Sequence, residues 1–300
     1  MSLSTTALFR VDGTVAVITG GGTGIGLIMA RALATNGARR VFILGRRKDV
    51  VESAAAAANK ELGVTDVLMP VVCDVTDKAS IQASVDAVSA NLAGPDKTGS
   101  IGVNLLVCNA GTGGPHTFYD PKISVSALRQ RMFTDADPAA MTDAFHVNVT
   151  GAYFTAMAYL ELLDAGNQSS PDNIQSQIVV TSSIASFMRG HYSSPPYAGS
   201  KMAILQITKQ LAAMLSPYKI RANALAPGLF PTGLAEVLTK GRDPSTEGYD
   251  HPAFIPARRF GTDADMAGTI LYLASTAGGF CNGLVMAFDG GRLAVTNANY

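Results

Sequence analysis

The stretch "TGGGTGIG" at residues 19–26 decides the fold. It follows directly on the apolar run "TVAVIT" at residues 14–19, which predicts a buried β-strand, and its last glycines begin a helical pattern that extends to about residue 36. Glycines between a strand and a helix permit a tight turn and let backbone N–H groups approach a pyrophosphate. Gly20, Gly24 and Gly26 have the spacing G-x-x-x-G-x-G, so a glycine-rich turn without a ligand is the alternative. The strand–turn–helix context favours dinucleotide binding.

Outward from this turn, strand-like apolar runs alternate with helical patterns along the whole chain. Helical patterns cover residues 49–62, 77–92, about 139–163, 196–215 and 263–275; strand-like runs cover residues 40–45, 67–75, 101–111, 177–183, 220–228 and 284–291. Strands that are apolar on both faces and separated by helices are typical of a parallel sheet covered on each side. We therefore predict one α/β domain over residues 1–300, with a doubly wound (Rossmann-type) parallel sheet of about seven strands and helices on both faces.

Charge and cysteine content narrow the classes of function. Lysine plus arginine equals aspartate plus glutamate at 23 each, which predicts no nucleic-acid partner and no membrane-surface partner. The three cysteines are widely spaced and odd in number, which favours a reducing compartment over a disulfide framework. No apolar run approaches the ~20 residues of a membrane span, and neither end of the sequence matches a targeting signal. We expect a cytoplasmic protein, and we predict no metal site.

Two stretches exceed the usual length of a loop. The first covers residues 112–138, and the second covers residues 229–258 and contains four prolines and three glycines. Long loops beyond the carboxyl ends of strands are where such sheets bind ligands. Both loops could instead be decoration, but the second follows a predicted strand end, so we expect it to form a lid over the substrate.

The segment "YAGSK" at residues 197–201 contains a tyrosine and a lysine four positions apart. On a helix these two side chains share a face. An ammonium about 4 Å from the phenol, at an effective dielectric of about 20, supplies roughly 4 kcal/mol. That is enough to lower the pKa of the phenol by about three units and to make Tyr197 an acid/base catalyst near neutral pH. The alternative is an ordinary tyrosine–lysine pair on a surface helix.

Taken together and in this order, these motifs resemble the short-chain dehydrogenase/reductase superfamily, with a similarity to its fungal 3-oxoacyl-carrier-protein-reductase-like members. The family's N-N-A-G motif departs here by having Cys108 as its first residue. The terminal Asp289, Gly290 and Gly291 also match. The resemblance implies cofactor-binding roles for Gly20, Thr23, Gly24, Ile25, Gly26, Asp74, Val75, Asn109, Ala110, Gly111, Tyr197, Lys201, Pro227, Gly228 and Thr232.

The same resemblance implies four catalytic residues, Asn148, Ser183, Tyr197 and Lys201. Tyr197 would donate the proton in reduction or accept it in oxidation, and Ser183 would hydrogen-bond the same substrate oxygen. Lys201 would lower the pKa of the phenol and hold the nicotinamide ribose. Asn148 would anchor a water chain that resupplies the proton. Ser182 is an alternative assignment for the serine.

The second predicted strand indicates which nicotinamide cofactor is used. Sites for NAD usually have an acidic side chain at this strand end, on the ribose 2′-hydroxyl. Here the strand ends in Gly45 and is followed by Arg46 and Arg47, which suit a 2′-phosphate through charge-assisted hydrogen bonds. The alternative is that both arginines are solvated at the start of the next helix. We predict NADP, with Arg46 facing the phosphate and Arg47 nearby.

The leading hypothesis is an NADP(H)-dependent oxidoreductase that interconverts a ketone and a secondary alcohol. One alternative is the same cofactor chemistry on a C=N or C=C bond of a specialised metabolite, and another is a non-catalytic nucleotide-binding sensor. The family also implies a homodimer or homotetramer. The residues expected to line a fairly apolar substrate pocket are Phe187, Met188, His191, Tyr192, Phe230, Leu234 and Phe254.

Overall fold

A seven-stranded parallel sheet lies at the centre of the protein, in the order β3-β2-β1-β4-β5-β6-β7. The computed structural model describes residues 3–93, 102–115, 122–168, 170, 174–189 and 194–298. The strands are β1 (Val15–Thr19), β2 (Arg40–Gly45), β3 (Leu68–Val72), β4 (Leu105–Cys108), β5 (Gln177–Thr181), β6 (Arg221–Pro227) and β7 (Val285–Phe288). The predicted doubly wound parallel sheet is confirmed.

The sheet is buried on both faces because its central strands are apolar at successive positions. In β1, Val15 and Val17 pack into one hydrophobic cluster, while Ala16 and Ile18 pack into a second cluster on the opposite face. This alternation follows from the two-residue period of a strand. The strands at the two edges, β3 and β7, are only partly buried.

Helices cover each face of the sheet. Residues of α2, α3 and α11 contribute to the cluster on one face, and residues of α4, α7 and α9 contribute to the cluster on the other. The helices are α1 (Thr5–Leu8), α2 (Gly24–Thr35), α3 (Lys48–Leu62), α4 (Lys78–Leu92), α5 (Val125–Arg129), α6 (Pro138–Phe145), α7 (Ala152–Ala158), α8 (Leu160–Gln168), α9 (Pro195–Met214), α10 (Glu236–Thr239), α11 (Asp263–Ala274) and α12 (Arg292–Val295). In the described part of the chain, none of these has the length and hydropathy to cross a membrane.

The prediction of one continuous helix over residues 139–163 is wrong. A π-helical turn, His146–Gly151, separates α6 from α7, and the helix breaks again at Tyr159 before α8. At Gly151 a Cβ would lie 2.7 Å from the carbonyl oxygen of Val75, so the turn packs directly against the segment after β3. The hydroxyl of Tyr159 is buried and lies 2.9 Å from Ser84 Oγ in α4. These two contacts fix the breaks, and the first one brings Asn148 into the π turn.

The long segment 229–258 has two parts of different character. Its first part contains a 3-10 turn, Gly233–Ala235, and the short helix α10. Its second part is docked on the body of the protein, because Phe254 and Ile255 are buried and the Ala257 amide donates to the Gly290 carbonyl oxygen at 2.9 Å. Within the described part of the other long segment, α5 continues into a π-helical turn, Gln130–Thr134.

Candidate active site

A cavity of about 580 Å³ opens where several parallel strands end. Residues that follow β1, β4, β5 and β6 line it, at the place where doubly wound sheets bind ligands. The predicted site residues that line this cavity are Gly20, Thr23, Gly24, Ile25, Arg47, Asn109, Ala110, Gly111, Ser183, Tyr197, Lys201, Pro227, Gly228 and Thr232.

The glycine turn after β1 forms one end of the cavity. Gly24 has φ +54, a conformation that side chains other than glycine rarely adopt. A Cβ at Gly26 would lie 2.3 Å from the Gly20 carbonyl oxygen, so only glycine allows this close approach. The first residues of α2 line the cavity together with Thr23 before them. The N-terminus of a twelve-residue helix is thereby presented to the cavity, as phosphate binding requires.

Asn109 ties the end of β4 to the end of β1. Its Nδ2 donates to the carbonyl oxygens of Thr19 at 3.1 Å and Gly20 at 3.2 Å. The backbone amides of Asn109 and Ala110 both donate to Thr19 Oγ1 at 3.0 Å. Cys108 stands where the family has asparagine, and burial raises the pKa of its thiol to about 12. The hydrogen bonds that join the two strand ends are therefore present despite the cysteine.

Two buried polar atoms indicate that the cavity fits a ligand with polar groups. Among the described residues, the buried side-chain atoms without a hydrogen-bond partner are Asn109 Oδ1, Thr181 Oγ1 and Ser176 Oγ. Asn109 and Thr181 both line the cavity. Because nearly all buried polar groups in proteins are paired, these two atoms and the glycine turn fit a bound dinucleotide.

Tyr197 and Lys201 lie one turn apart on α9, which begins at Pro195. The Nζ of Lys201 donates to the Thr181 carbonyl oxygen at 2.8 Å and lies 5.8 Å from the centroid of the Tyr197 ring. Lys201 is 3% exposed, and burial lowers the pKa of its ammonium to about 8. The sequence-predicted pair thus shares one cavity, but the ammonium is directed at a backbone carbonyl.

The expected lowering of the Tyr197 pKa by Lys201 is wrong for this structure. Burial raises the pKa of the phenol, and a hydrogen bond from Ser183 offsets this only in part. Ser183 Oγ also accepts the Ala185 amide at 3.1 Å. The Ser182 hydroxyl is buried and donates its hydrogen bond to the Lys201 carbonyl oxygen at 2.7 Å, so it is not directed at Tyr197. Ser183 rather than Ser182 therefore faces the tyrosine.

The side chain of Asn148 forms hydrogen bonds with the backbone of Thr112 beside the cavity. Its side-chain amide accepts the Thr112 amide at 2.8 Å and donates to the Thr112 carbonyl oxygen at 2.9 Å. It also donates to Ser200 Oγ at 3.0 Å. A Cβ at Gly111 would lie 3.1 Å from Asn148 Oδ1 and 3.3 Å from Lys201 Nζ. Gly111 is therefore the point at which the asparagine and the lysine side chains converge.

Comparisons with known proteins agree with this geometry. A family model described as enoyl-(acyl carrier protein) reductase matches residues 20–292. Short-chain dehydrogenase/reductase SAT3 of Stachybotrys chartarum is 44% identical over 285 residues, covering 91% of this chain and 100% of that protein. The chain belongs to the short-chain dehydrogenase/reductase family. It is an oxidoreductase that uses a nicotinamide cofactor.

Two further matches support the assignment. Short-chain dehydrogenase/reductase PhomF of Diaporthe leptostromiformis is 41% identical over 300 residues, covering 100% of this chain and 98% of that protein. A solved structure described as the Pseudomonas aeruginosa RhlG/NADP active-site complex matches with a TM-score of 0.76 and 26% identity, covering 95% of this chain and 98% of that one. The fungal origin of SAT3 and PhomF is consistent with the fungal resemblance of the sequence.

Several predicted site residues of this short-chain dehydrogenase/reductase do not line the cavity. Besides Asn148, they are Gly26, Arg46, Asp74 and Val75. Burial raises the pKa of the Asp74 carboxyl, whereas hydrogen bonds from Thr76 and the charge of Arg46 lower it. The net result is a lowered pKa. The charge of Arg46 thus contributes to the lowered pKa of Asp74, which is outside the cavity lining, whereas Arg47 lines the cavity.

The substrate end of this short-chain dehydrogenase/reductase agrees only in part with the sequence prediction. Met188, Phe230 and Leu234 line the cavity, whereas Phe187 and Phe254 do not. His191 and Tyr192 lie outside the described residues. The lining residues that sequence reasoning missed include Val237, Leu238, Arg242 and Arg292. A signal was available for the last of them, because Arg292 directly follows the Asp-Gly-Gly motif.

Proposed function

We propose that this protein interconverts a ketone and a secondary alcohol with NADP(H), and that Tyr197 is its acid/base. The observation that carries the proposal is the single cavity that Ser183, Tyr197 and Lys201 line together with the glycine turn. A serine and a tyrosine that meet in this way can both hydrogen-bond one substrate oxygen. The spacing of residues 197–201 and the Ser183 position agree with this assignment.

A nicotinamide held in the cavity supplies or accepts a hydride. The glycine turn and the start of α2 would hold the pyrophosphate, and the arginines after β2 would hold a 2′-phosphate. Asp74 and Val75 would face the adenine, and Tyr197 and Lys201 would bind the nicotinamide ribose. The remaining predicted contacts would come from Asn109, Ala110, Gly111, Pro227, Gly228 and Thr232.

In the reductive direction, Tyr197 gives a proton to the substrate oxygen. Because burial raises the pKa of its phenol, the tyrosine stays neutral at physiological pH and is ready to donate. Ser183 hydrogen-bonds the same oxygen, and Lys201 would hold the nicotinamide ribose beside the tyrosine. In this proposal Asn148 is a positioning residue, since its amide fixes Thr112 beside Gly111.

The end of β2 supports NADP over NAD. Arg47 lines the cavity and Arg46 adds a second cation beside it. A Cβ at Gly45 would lie 2.9 Å from Val51 Cγ1, and Val51 is buried in α3. An acidic side chain at this position, which an NAD site usually needs, would therefore require Val51 to move.

The test is turnover of the wild-type protein with each cofactor on panels of ketones, secondary alcohols, imines and activated alkenes, followed by the absorbance of reduced nicotinamide. We expect reduction of ketones with NADPH and weak use of NADH. Turnover confined to C=N or C=C substrates would favour the alternative chemistry. Tight cofactor binding without turnover on any panel would favour a nucleotide sensor.

We also propose that the protein is a homodimer or homotetramer in the cytoplasm, where its free cysteines fit a reducing compartment. The sequence predicts that apolar side chains of residues 152–160 face a partner copy, but one of them, Ala152, is buried in the core. Phe154 on α7 and Met202 on α9 are exposed instead. Light scattering at micromolar concentration should give a dimer or tetramer, and a monomer would contradict the proposal.

A further inference from the structure

A serine at the start of α9 has a hydroxyl that the proposed reaction does not use. Ser194 directly precedes Pro195, the first residue of α9, and it lines the cavity. Its exposed fraction is 4%. Ser183 and Tyr197 line the same cavity and already have roles in the reaction. The hydroxyl of Ser194 is therefore a polar group of the cavity that still requires an explanation.

The usual role of a serine at this position is to cap the helix. A capping side chain accepts a hydrogen bond from the second or third backbone N–H of the helix. Here the second residue is Pro196, which has no N–H. The Ser194 side chain makes no capping hydrogen bond, and within the described part of the chain its hydroxyl has no other partner. Because buried polar groups are nearly always paired, this hydroxyl is suited to a group that enters the cavity.

The backbone holds Ser194 in a fixed position. Its carbonyl oxygen accepts the Ala198 amide at 2.9 Å, which joins it to the first turn of α9. Pro196 is buried, and a Cβ at Gly114 would lie 3.9 Å from the Pro196 ring, so the start of α9 packs against the segment after β4. A hydroxyl on such a fixed element can bind a ligand without the entropy cost of ordering a loop.

Ser194 and Tyr197 are close to each other at the start of the same helix. Residues three positions apart on a helix have Cβ atoms about 5–6 Å from each other, and both of these residues line the cavity. A ketone whose oxygen is bound by Tyr197 therefore brings its neighbouring carbon atoms within reach of Ser194. A second polar group on one of those carbons would meet the free hydroxyl.

The rest of the lining limits what that second group can be. None of the described lining residues is an aspartate or a glutamate, so the cavity offers no carboxylate to an ammonium group. Met188 and Leu234 add apolar walls to the same cavity. A serine hydroxyl both donates and accepts hydrogen bonds, which suits a neutral hydroxyl or carbonyl oxygen. The lining thus fits an apolar body with a neutral oxygen beside the reacting carbonyl.

We propose that Ser194 binds the substrate, and that the substrate is a ketone with a second neutral oxygen on its α or β carbon. The inference rests on the proposed carbonyl reduction and names its substrate class. Ser194 holds the second oxygen, while Tyr197 and Ser183 hold the reacting one. A ketone without that oxygen leaves the hydroxyl unpaired, so Ser194 determines specificity. The competing role for Ser194 is packing at the start of α9.

The experiment compares ketones that differ by one hydroxyl, each reduced with NADPH. The first pair is 3-phenylbutan-2-one and 3-hydroxy-3-phenylbutan-2-one, and the second is 4-phenylpentan-2-one and 4-hydroxy-4-phenylpentan-2-one. The added hydroxyls are tertiary and cannot be oxidised, so only the carbonyl reacts. In at least one pair, Ser194→Ala should lower kcat/KM for the hydroxyketone relative to its parent by about 3- to 10-fold, the range for a hydrogen bond between neutral groups. Ser194→Thr keeps the hydroxyl and should retain most of the preference.

The control is Thr208→Ala, which removes a hydroxyl from the same helix. Thr208 Oγ1 donates to the Ile204 carbonyl oxygen at 2.8 Å, and Thr208 does not line the cavity. The ratio of kcat/KM within each pair should stay at its wild-type value in this variant. A Ser194→Ala variant that loses activity equally on ketone and hydroxyketone would overturn the proposal, because a packing residue has that effect. Unchanged ratios in both pairs would overturn it as well.

A binding measurement separates this inference from the proposed function. Calorimetry of the NADP⁺-saturated protein uses the same two pairs, since the oxidised cofactor cannot reduce them. The hydroxyketone should bind more tightly than its parent ketone in the wild type, and Ser194→Ala should remove the difference. If this is observed and no carbonyl is reduced with NADPH, the proposed function fails and the Ser194 site stands. If ketones are reduced but neither measurement depends on Ser194, the proposed function stands and the inference fails.

Discussion

The two ends of the cavity are built in different ways. The cofactor end consists largely of backbone, because glycines after β1 and the turn after β4 bring main-chain groups to its surface. The substrate end consists of side chains from residues 229–258 and α12, which the Arg242–Glu247 ion pair and a hydrogen bond from the buried Arg292 hold together. Backbone geometry set by the sheet leaves little room for variation, whereas loop side chains can change without disturbing the fold. The cofactor end therefore depends on the fold of the sheet, and the substrate end depends on the side chains of one loop and one short helix.

The two ends also differ in how firmly they are packed. Asn109 and the glycine turn are joined by several hydrogen bonds between strand ends. At the substrate end, Leu234 is 52% exposed and Val237 is 67% exposed, although both line the cavity. Exposed apolar side chains on a 3-10 turn and on the four-residue helix that follows it indicate low local stability. We propose that only residues 233–241 move as a lid, since Phe254 and Ile255 are already buried.

A large effect on both turnover and stability is expected from Lys201→Met, at the junction of the two ends. Turnover should fall by about the 10²–10⁴-fold of acid/base catalysis. Folding stability should rise, because burial lowers the pKa of this lysine from 10.5 to about 8, which corresponds to a cost of about 3 kcal/mol for the charged form. Losing the hydrogen bond to the Thr181 carbonyl oxygen costs about 1–3 kcal/mol, which leaves a net gain of about 1 kcal/mol. Urea denaturation at pH 7 and steady-state rates measure both.

The lowered pKa of Lys201 also determines how the stability and the activity of the wild type depend on pH. Between about pH 8 and pH 10.5 the unfolded chain binds a proton at Lys201 that the folded chain does not. The free energy of unfolding of the wild type therefore rises with pH across that window, because the buried Lys201 ammonium loses its charge. Below pH 8 the lysine is charged in the folded protein, and its burial destabilises the fold by the full amount. Ketone reduction should fall above about pH 8, as the ammonium loses its proton. A Lys201→Met variant less stable than the wild type at pH 7 would contradict the assignment.

A smaller effect is expected at the cofactor end. Arg47→Ala should raise the dissociation constant of NADPH by about 10- to 100-fold, since a hydrogen bond to a charged group contributes roughly 1.5–3 kcal/mol. Binding of NADH should barely change. Arg46→Ala is the matched variant, and we expect a weaker effect because Arg46 does not line the cavity. Fluorescence titration at low salt measures all four constants, and unchanged NADPH affinity in both variants would remove the arginines from the phosphate site.

Many of the residues predicted for the cofactor end line the cavity, and there is a physical reason for this. Strand ends, a glycine turn and a helix start lie next to each other in the chain, so residues 19–26 and 197–201 can be interpreted locally. The substrate end depends on contacts between distant segments, such as Arg292 with Phe254. No local pattern predicts that contact, and Phe254 was expected in the pocket for its apolar ring alone.

The interruption of the helix that carries Asn148 is a second feature that local sequence patterns do not predict. Residues 139–163 have an apolar pattern that predicts one helix, but the approach of Gly151 to the Val75 carbonyl oxygen imposes a π turn. Similarly, the spacing of Tyr197 and Lys201 predicted a lowered phenol pKa. The sequence carries no information on burial of the ring or on the Thr181 carbonyl oxygen that takes the ammonium.

The smallest effect is expected from Glu247→Gln at the substrate end. This change weakens the bidentate pair with Arg242, whose two contacts measure 2.8 and 2.9 Å. The loop should loosen, with faster hydrogen exchange at residues 233–253 and a few-fold rise in the KM of a ketone. The dissociation constant of NADPH should stay within two-fold. In the wild type, a saturating ligand should slow exchange at residues 233–241, and no change there would count against the lid.

The most direct test of the account is Tyr197→Phe, because this tyrosine lies where the two ends of the cavity meet. The substitution removes one hydroxyl and keeps the ring, so NADPH should bind with nearly wild-type affinity. Turnover of a ketone should fall by about 10²–10⁴-fold or more. The measurement is an NADPH titration beside steady-state kinetics on the same preparation. Turnover that persists at the wild-type rate would contradict the acid/base role of Tyr197, and with it the proposed function.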